Sequence, residues 1–287
     1  MLVYFLIIIQ QLIAGGTHIV AKELTATYPP GLILLLRSFF AALIFAVWLI
    51  FKIKYIRKIR MKDIFYLLLL GALNIPANQF LFLQSIKLTS PSNVALAYSL
   101  SPVFVMLIAK FFLKEKITRI KVIGIAIAFI GVVIIMLNSG LGFSAGSILG
   151  DFLALTASVS WAIYTVVGKK YSSKYGPVIT TAFSMIFGFI LYLPIFFSLD
   201  IPITLSTIDT MSWMKILYLS VFASVVAYAI WYYALSKKEA SKVSIFNNIQ
   251  PIITAVLAAV FLDIAITPLY VVGGILILGG VITTQRA

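Results

Sequence analysis

The chain has 287 residues, 62% of them hydrophobic and only 10% charged. So few charges cannot cover the surface of a soluble domain of this length. The absence of cysteine excludes disulfides, thiolate metal sites and thiol nucleophiles together. A formal net charge of +14 would suggest nucleic acid in a soluble protein, so here it has to be read by position along the chain.

Apolar runs of eighteen or more residues recur from end to end, each long enough to cross a bilayer as a helix. Ten segments are predicted, over residues 2–20, 31–51, 64–85, 93–113, 121–138, 151–168, 178–198, 212–235, 243–262 and 268–285. The first lacks a basic leading region and a small-residue cleavage site, so it is read as a retained helix. Most links are short, which favours antiparallel neighbours in one bundle. The link after the second segment, KIKYIRKIRMK, carries six basic residues in eleven. Further basic groups follow the fourth, sixth and eighth segments, among them Lys114, Lys116, Arg119, Lys169, Lys174, Lys237 and Lys242. With ten spans all of these fall on one side, and only Lys22, Lys87 and Lys215 fall on the other. Such a bias makes the basic face cytoplasmic, with both termini there, as expected of a multi-pass plasma-membrane protein. The charge is thus a topology signal with affinity for anionic lipid, not a nucleic-acid surface.

The chain also repeats itself. KELTATYPP (Lys22–Pro30) and KKYSSKYGP (Lys169–Pro177) close segments one and six, with Lys, Tyr and the final Pro at one constant offset. The stretch from Ser101 to Val133 lies over Gln250 to Ile282 without a gap. Pro102 then falls on Pro251, Thr118 on Thr267, Gly124 on Gly273 and Gly131 on Gly280. Two halves follow, 1–140 and 141–287, with five spans each. An odd number of spans inverts the second copy relative to the first. Inverted repeats mark alternating-access transporters, whose substrate site lies near the midplane between the halves. The fold class expected is therefore an all-α integral membrane protein, its ten helices forming two inverted five-helix repeats around a central cavity.

Candidate cavity residues are the polar groups placed in the spans, because such groups usually face a cavity or another helix. Gln11, Gly15 and His18 share one face of helix one. Helix three offers Asn74, Asn78 and Gln79; helix nine offers Asn247, Asn248 and Gln250. Tyr98, Trp161, Tyr164, Tyr228 and Trp231 add aromatic surface, with Ser224 on the helix-eight face. Pro102 and Pro251 each lack the N–H that would bond four residues back, freeing the carbonyls of Tyr98 and Asn247. Matched breaks in two halves point to a binding site. His18 is the side chain suited to proton coupling at neutral pH. Arg37 either snorkels to the outer interface or meets an anion. No carboxylate is predicted at a helix centre, which argues against simple cationic solutes.

Two five-helix repeats, the L-x-E-x-x-T frame at Leu113, Glu115 and Thr118, and a Pro in each fourth helix resemble EamA-type members of the drug/metabolite transporter superfamily. The resemblance implies a ten-helix permease of small metabolites, often an exporter, with helices one, three and four and their repeat mates around a central cavity. The second copy departs from the frame, since Ile264 stands where Glu115 does. The function expected is secondary-active or facilitative transport of amino acids or similar zwitterionic, neutral or anionic solutes. A flippase of lipid-linked small molecules is the alternative, and a membrane enzyme the weakest, since one His and no Cys leave little to build from. No cofactor and no metal are expected. The partners expected are a small-molecule metabolite and membrane lipids, with a homodimer left open and no nucleic acid.

Overall fold

In hydrocarbon a backbone N–H or C=O without a partner is costly, so a chain this apolar satisfies its backbone within helices. The computed structural model describes residues 1–52, 59–89, 91–138, 145–203, 205–253, 256 and 268–287. Helices α1 (Leu2–Thr27), α2 (Pro30–Ile50) and α3 (Met61–Leu88) come first. Next is α4, in two pieces, Pro91–Ser99 and Ser101–Phe112, followed by α5 (Arg119–Asn138). The second half repeats the order with α6 (Ala145–Tyr175), α7 (Pro177–Ser198) and α8 (Thr210–Lys237). It continues with α9, which begins as Ala240–Ser244 and tightens to a 3-10 turn over Ile245–Ile249, and with α10 (Pro268–Gln285). Among the described residues, eight helices are long and apolar enough to cross a membrane. The far part of segment 243–262 and the stretch Phe261–Thr267 lie outside the described residues.

The helix ends differ from expectation where the chain turns polar. α1 runs to Thr27 and α6 to Tyr175, so KELTAT and KKYSSKY are the closing turns of helices, not links. Hydropathy misses such turns because polar residues at a membrane edge stay helical. What stops α1 is extended Tyr28 (φ −116°) before Pro29, which cannot continue the ladder. What stops α6 is Gly176 at φ 96°, a conformation open to glycine, before Pro177.

The two halves meet at α5 and α10, and glycine lets the backbones touch. A Cβ on Gly124 would sit 2.8 Å from the Gly280 carbonyl oxygen, and one on Gly280 only 2.4 Å from that of Gly124. Gly131 and Gly273 oppose each other in the same way, at 2.5 and 2.7 Å. The pairing Gly124–Gly280, Gly131–Gly273 makes the helices antiparallel. The alignment of the halves equates Gly124 with Gly273 and Gly131 with Gly280, so it exchanges one contact for the other. That exchange is the behaviour of a two-fold axis between inverted copies.

This contact carries a test. Gly280→Ala places a methyl against backbone and should lower the thermal midpoint of the detergent-solubilised protein, a cost of about 1–3 kcal/mol. Gly279→Ala, next to it, meets nothing within 4 Å and should hold or raise the midpoint. Equal behaviour of the two variants would contradict the close approach.

Candidate functional site

Seven helices converge on a cavity of about 90 Å³. From the first half it is lined by Gln10, Ala14, Thr17 and His18 of α1, Arg37 of α2, Asn78, Gln79 and Phe82 of α3, and Tyr98 of α4. The second half adds Trp161 of α6, Ala223, Ala227 and Tyr228 of α8, and Asn247 and Gln250 of α9. Of the sequence candidates, His18, Arg37, Asn78, Gln79, Tyr98, Trp161, Tyr228, Asn247 and Gln250 thus share one cavity wall. Gln11, Asn74, Tyr164 and Trp231 do not line it; they stand behind those that do.

Two chains of side-chain amides hold the lining in place. In the first, Asn247 Nδ2 donates to Ser101 Oγ (3.0 Å) and its Oδ1 accepts from Gln11 Nε2 (3.3 Å). Gln11 Nε2 also donates to Gln10 Oε1 (2.7 Å), and Gln11 Oε1 accepts from Gln250 Nε2 (2.9 Å). Gln250 Oε1, its nitrogen committed, lies 3.1 Å from His18 Nε2. In the second, Asn74 Nδ2 donates to Ser184 Oγ (3.1 Å), whose hydroxyl also meets Tyr164 Oη (3.0 Å). Asn74 Oδ1 accepts from Gln79 Nε2 (2.9 Å), which also reaches Tyr228 Oη (3.3 Å). Asn78 Nδ2 binds Tyr98 Oη and the Ala157 carbonyl, both at 2.8 Å.

Aromatic rings form the remaining wall in two layers. Trp161 faces the cavity; Tyr164 stacks on it at 5.5 Å and Trp231 tilts against it at 5.2 Å. Trp231 is fully buried and donates its indole N–H to Thr165 Oγ1 (3.2 Å). It therefore supports the wall and offers no stacking face to a solute, against expectation. Arg37 does not snorkel. It is 3% exposed, and its Nε donates to Ser224 Oγ at 2.7 Å, because α2 packs along α8 and not only along lipid.

The backbone near the cavity is irregular in matched places. α4 breaks at Leu100, ahead of Pro102, and α9 is 3-10 ahead of Pro251; both prolines are buried outside the cavity lining. The Asn247 carbonyl is not free as expected: the Gln250 N–H reaches it across the 3-10 turn. A second matched pair was not read from the sequence. α3 widens to a π-helix over Ile75–Phe80 and α8 over Leu219–Val226. These wide turns present Asn78, Gln79 and Ala223, and π-turns inside helices often sit at functional sites. Pro76 was the signal in α3; α8 carries no comparable mark. Gln10, Ala14, Thr17, Phe82, Ala223 and Ala227 were also missed, since apolar and paired-amide positions carry no distinctive cue.

On the basic face a polar strap joins the halves. Lys114 takes φ 57° after α4, turning Glu115 toward α9. The Glu115 carboxylate accepts from Ala240 N (2.7 Å), Ser241 N (3.2 Å) and Ser241 Oγ (2.9 Å), with Lys169 Nζ at 3.6 Å. A carboxylate at a helix N-terminus is favourable in both charge and hydrogen bonding. Lys121 pairs with Glu239 beside it. Partial burial pushes the Glu239 carboxyl up, but the bond and charge of Lys121, with Lys242 and Lys169 nearby, hold it below the ordinary value.

The model of the EamA-like transporter family matches residues 1–137 and again residues 148–285. The chain belongs to the EamA-like transporter family. It is a multi-pass membrane transporter of the drug/metabolite superfamily, not an enzyme. A Bacillus subtilis protein described as an uncharacterised transporter is 29% identical over 286 residues, covering 99% of this chain and 93% of that one. An Archaeoglobus fulgidus uncharacterised transporter is 32% identical over 80% of each chain. A Salmonella typhimurium protein described as a "probable amino-acid metabolite efflux pump" is 31% identical over 74% of each. A solved crystal structure superposes with TM-score 0.78 over 99% of this chain and 95% of its own, at 18% identity, a likeness of fold alone.

In this EamA-family chain, adjacent glutamines have separate tasks. Gln11 joins α1 to α9, so Gln11→Ala should cost about 1–3 kcal/mol of stability through the partners it strands. Gln10→Ala leaves Gln11 its Asn247 partner and should reduce transport with little change in thermal midpoint. Reversed effects would contradict the assignment.

Proposed function

We propose that the protein is a secondary-active or facilitative exporter of amino acids or similar small solutes, working by alternating access. The observation that carries this reading is a cavity with polar side chains in its wall, to which matched helices of both halves contribute. Rocking of one half against the other exposes such a site to each side in turn. The two π-helical turns and the two broken fourth helices supply places where the backbone can bend without losing a regular ladder. The strap of Glu115, Lys169, Ser241, Lys121 and Glu239 closes the basic face and has to part when the cavity opens there. Export, and not import, is supported by the relatives described as efflux pumps. The lysine and arginine bias supports a plasma-membrane location with both termini in the cytoplasm.

His18 is the coupling group in this proposal. The other ionisable side chains lining the cavity are Arg37, Tyr98 and Tyr228, whose ordinary values of about 10 and above lie far from neutrality. Counterflow of radiolabelled amino acids, nucleosides and organic acids into proteoliposomes, at about pH 6 and pH 8, tests the proposal. It predicts saturable movement of a member of the amino-acid set, with pH dependence that His18→Gln abolishes. Unchanged pH dependence in that variant would remove coupling from His18. Movement of none of the solutes, with a response in a lipid-scrambling assay, would replace the permease reading by a flippase.

A further inference from the structure

Among the described residues, each buried or half-buried lysine at the edges of the bundle has an evident partner. Lys121 pairs with Glu239, Lys169 with Glu115 and Lys215 with Glu23; Lys22 and Lys242 donate to the Ile86 and Ala287 carbonyls, and Lys238 lies over the Tyr4 ring. Arg37 is different. It lines the cavity at 3% exposure, and among the described residues no carboxylate pairs with it. Nor, among the described residues, does any carboxylate line the cavity. A buried charge without its opposite is strongly unfavourable, and a ligand anion is the partner that would relieve it.

The opposite deficiency exists in the same cavity. Gln79 Oε1 is buried with no hydrogen-bond donor. Its orientation follows from its neighbour: Asn74 Nδ2 lies on Met185 Sδ, which can only accept, and on Ser184 Oγ, so Asn74 Oδ1 takes the Gln79 amide nitrogen. His18 Nδ1 is likewise buried without a partner. Its role follows from the amide orientations of the first chain. Gln250 donates its nitrogen to Gln11, so its Oε1 accepts from His18 Nε2–H, which leaves Nδ1 as a bare acceptor. The cavity is thus lined by one cation without a counter-ion and by two side chains that each carry an acceptor without a donor, all three at least nine-tenths buried.

We infer that the site is built for a zwitterion: Arg37 takes the carboxylate, while His18 Nδ1 and Gln79 Oε1 accept from the ammonium. The inference rests on the transporter reading above and narrows its solute class to molecules carrying both charges. An organic acid would leave the two acceptors stranded. A simple amine would meet the Arg37 charge with nothing to offset it. Discrimination by an unmade hydrogen bond in a buried site is large, in contrast to discrimination by a methylene.

The test uses the full chain in proteoliposomes and an analogue series built on whichever amino acid gives the strongest counterflow. The competitors are that amino acid, its N-acetyl form, its carboxamide, and the matching simple acid and amine. The wild type should prefer the free amino acid over all four others by at least about tenfold. Arg37→Gln should erase the preference over the carboxamide, and Gln79→Leu should reduce the preference over the N-acetyl form. If Arg37→Gln does not fold, Arg37→Lys keeps the charge without the planar fork and should weaken the preference over the carboxamide only in part. Competition by the simple acid or the amine as strong as that of the amino acid would overturn the zwitterion while leaving a transporter in place. Transport of nucleosides or organic acids with no amino acid moving would also overturn it. No counterflow of any solute would instead remove the transporter reading on which it stands.

Discussion

In hydrocarbon a polar group that loses its partner has no water to turn to, and in this bundle that constraint falls mainly on amide side chains. Asn247, Gln11 and Gln250 form one line across α9 and α1; Asn74, Gln79 and Tyr228 form another across α3 and α8. Both lines cross from one half of the chain to the other, and both end at the cavity. The first leaves an acceptor open beyond Gln250, at His18 Nδ1, and the second leaves one open at Gln79 Oε1. Both of these side chains line the cavity, and polar networks of this kind fix geometry more than they add stability.

The same constraint explains where the backbone departs from a helix. Wide turns in α3 and α8, a break in α4 and a 3-10 turn in α9 all lie beside the cavity, where irregular backbone is tolerated because protein or solute covers it. Regular helix prevails at the α5–α10 contact, where glycine brings backbone to backbone and the two halves share an axis. One part of the molecule is therefore regular helix packed backbone to backbone, and another is irregular around a cavity.

Hydropathy made eight of the ten predicted spans legible among the described residues, and the gapless overlay of Pro, Thr and Gly picked out the glycines at which α5 and α10 touch. The wall of the cavity was legible where a polar residue stood alone in an apolar run, as with Tyr228 and Gln250. Where two polar residues are adjacent, the sequence does not say which of them faces the cavity. Gln10 and Gln11 differ by one helical step of about 100°, and only packing decides which faces in. Trp231 read as a stacking surface because composition cannot tell the front of an aromatic wall from its back. Arg37 reads from sequence as either an interfacial snorkel or an anion contact, because its place depends on α8, some 190 residues away, supplying Ser224. The π-turns were invisible for a related reason: they widen to suit neighbours, and α8 has no proline to announce one.

The central claim is that one cavity, shared by both halves, opens to each side in turn. The chain has no cysteine, so a single Ala227→Cys provides the sole thiol, inside the cavity. Its labelling by a membrane-impermeant maleimide, applied separately from each side of sealed vesicles, reads the opening directly. The account predicts labelling from both sides. It further predicts that the triple variant Ala227→Cys, Glu115→Cys, Ser241→Cys, once its strap is crosslinked, is labelled from the far side alone. Labelling from only one side without the crosslink, or from the basic side with the strap locked, would contradict it.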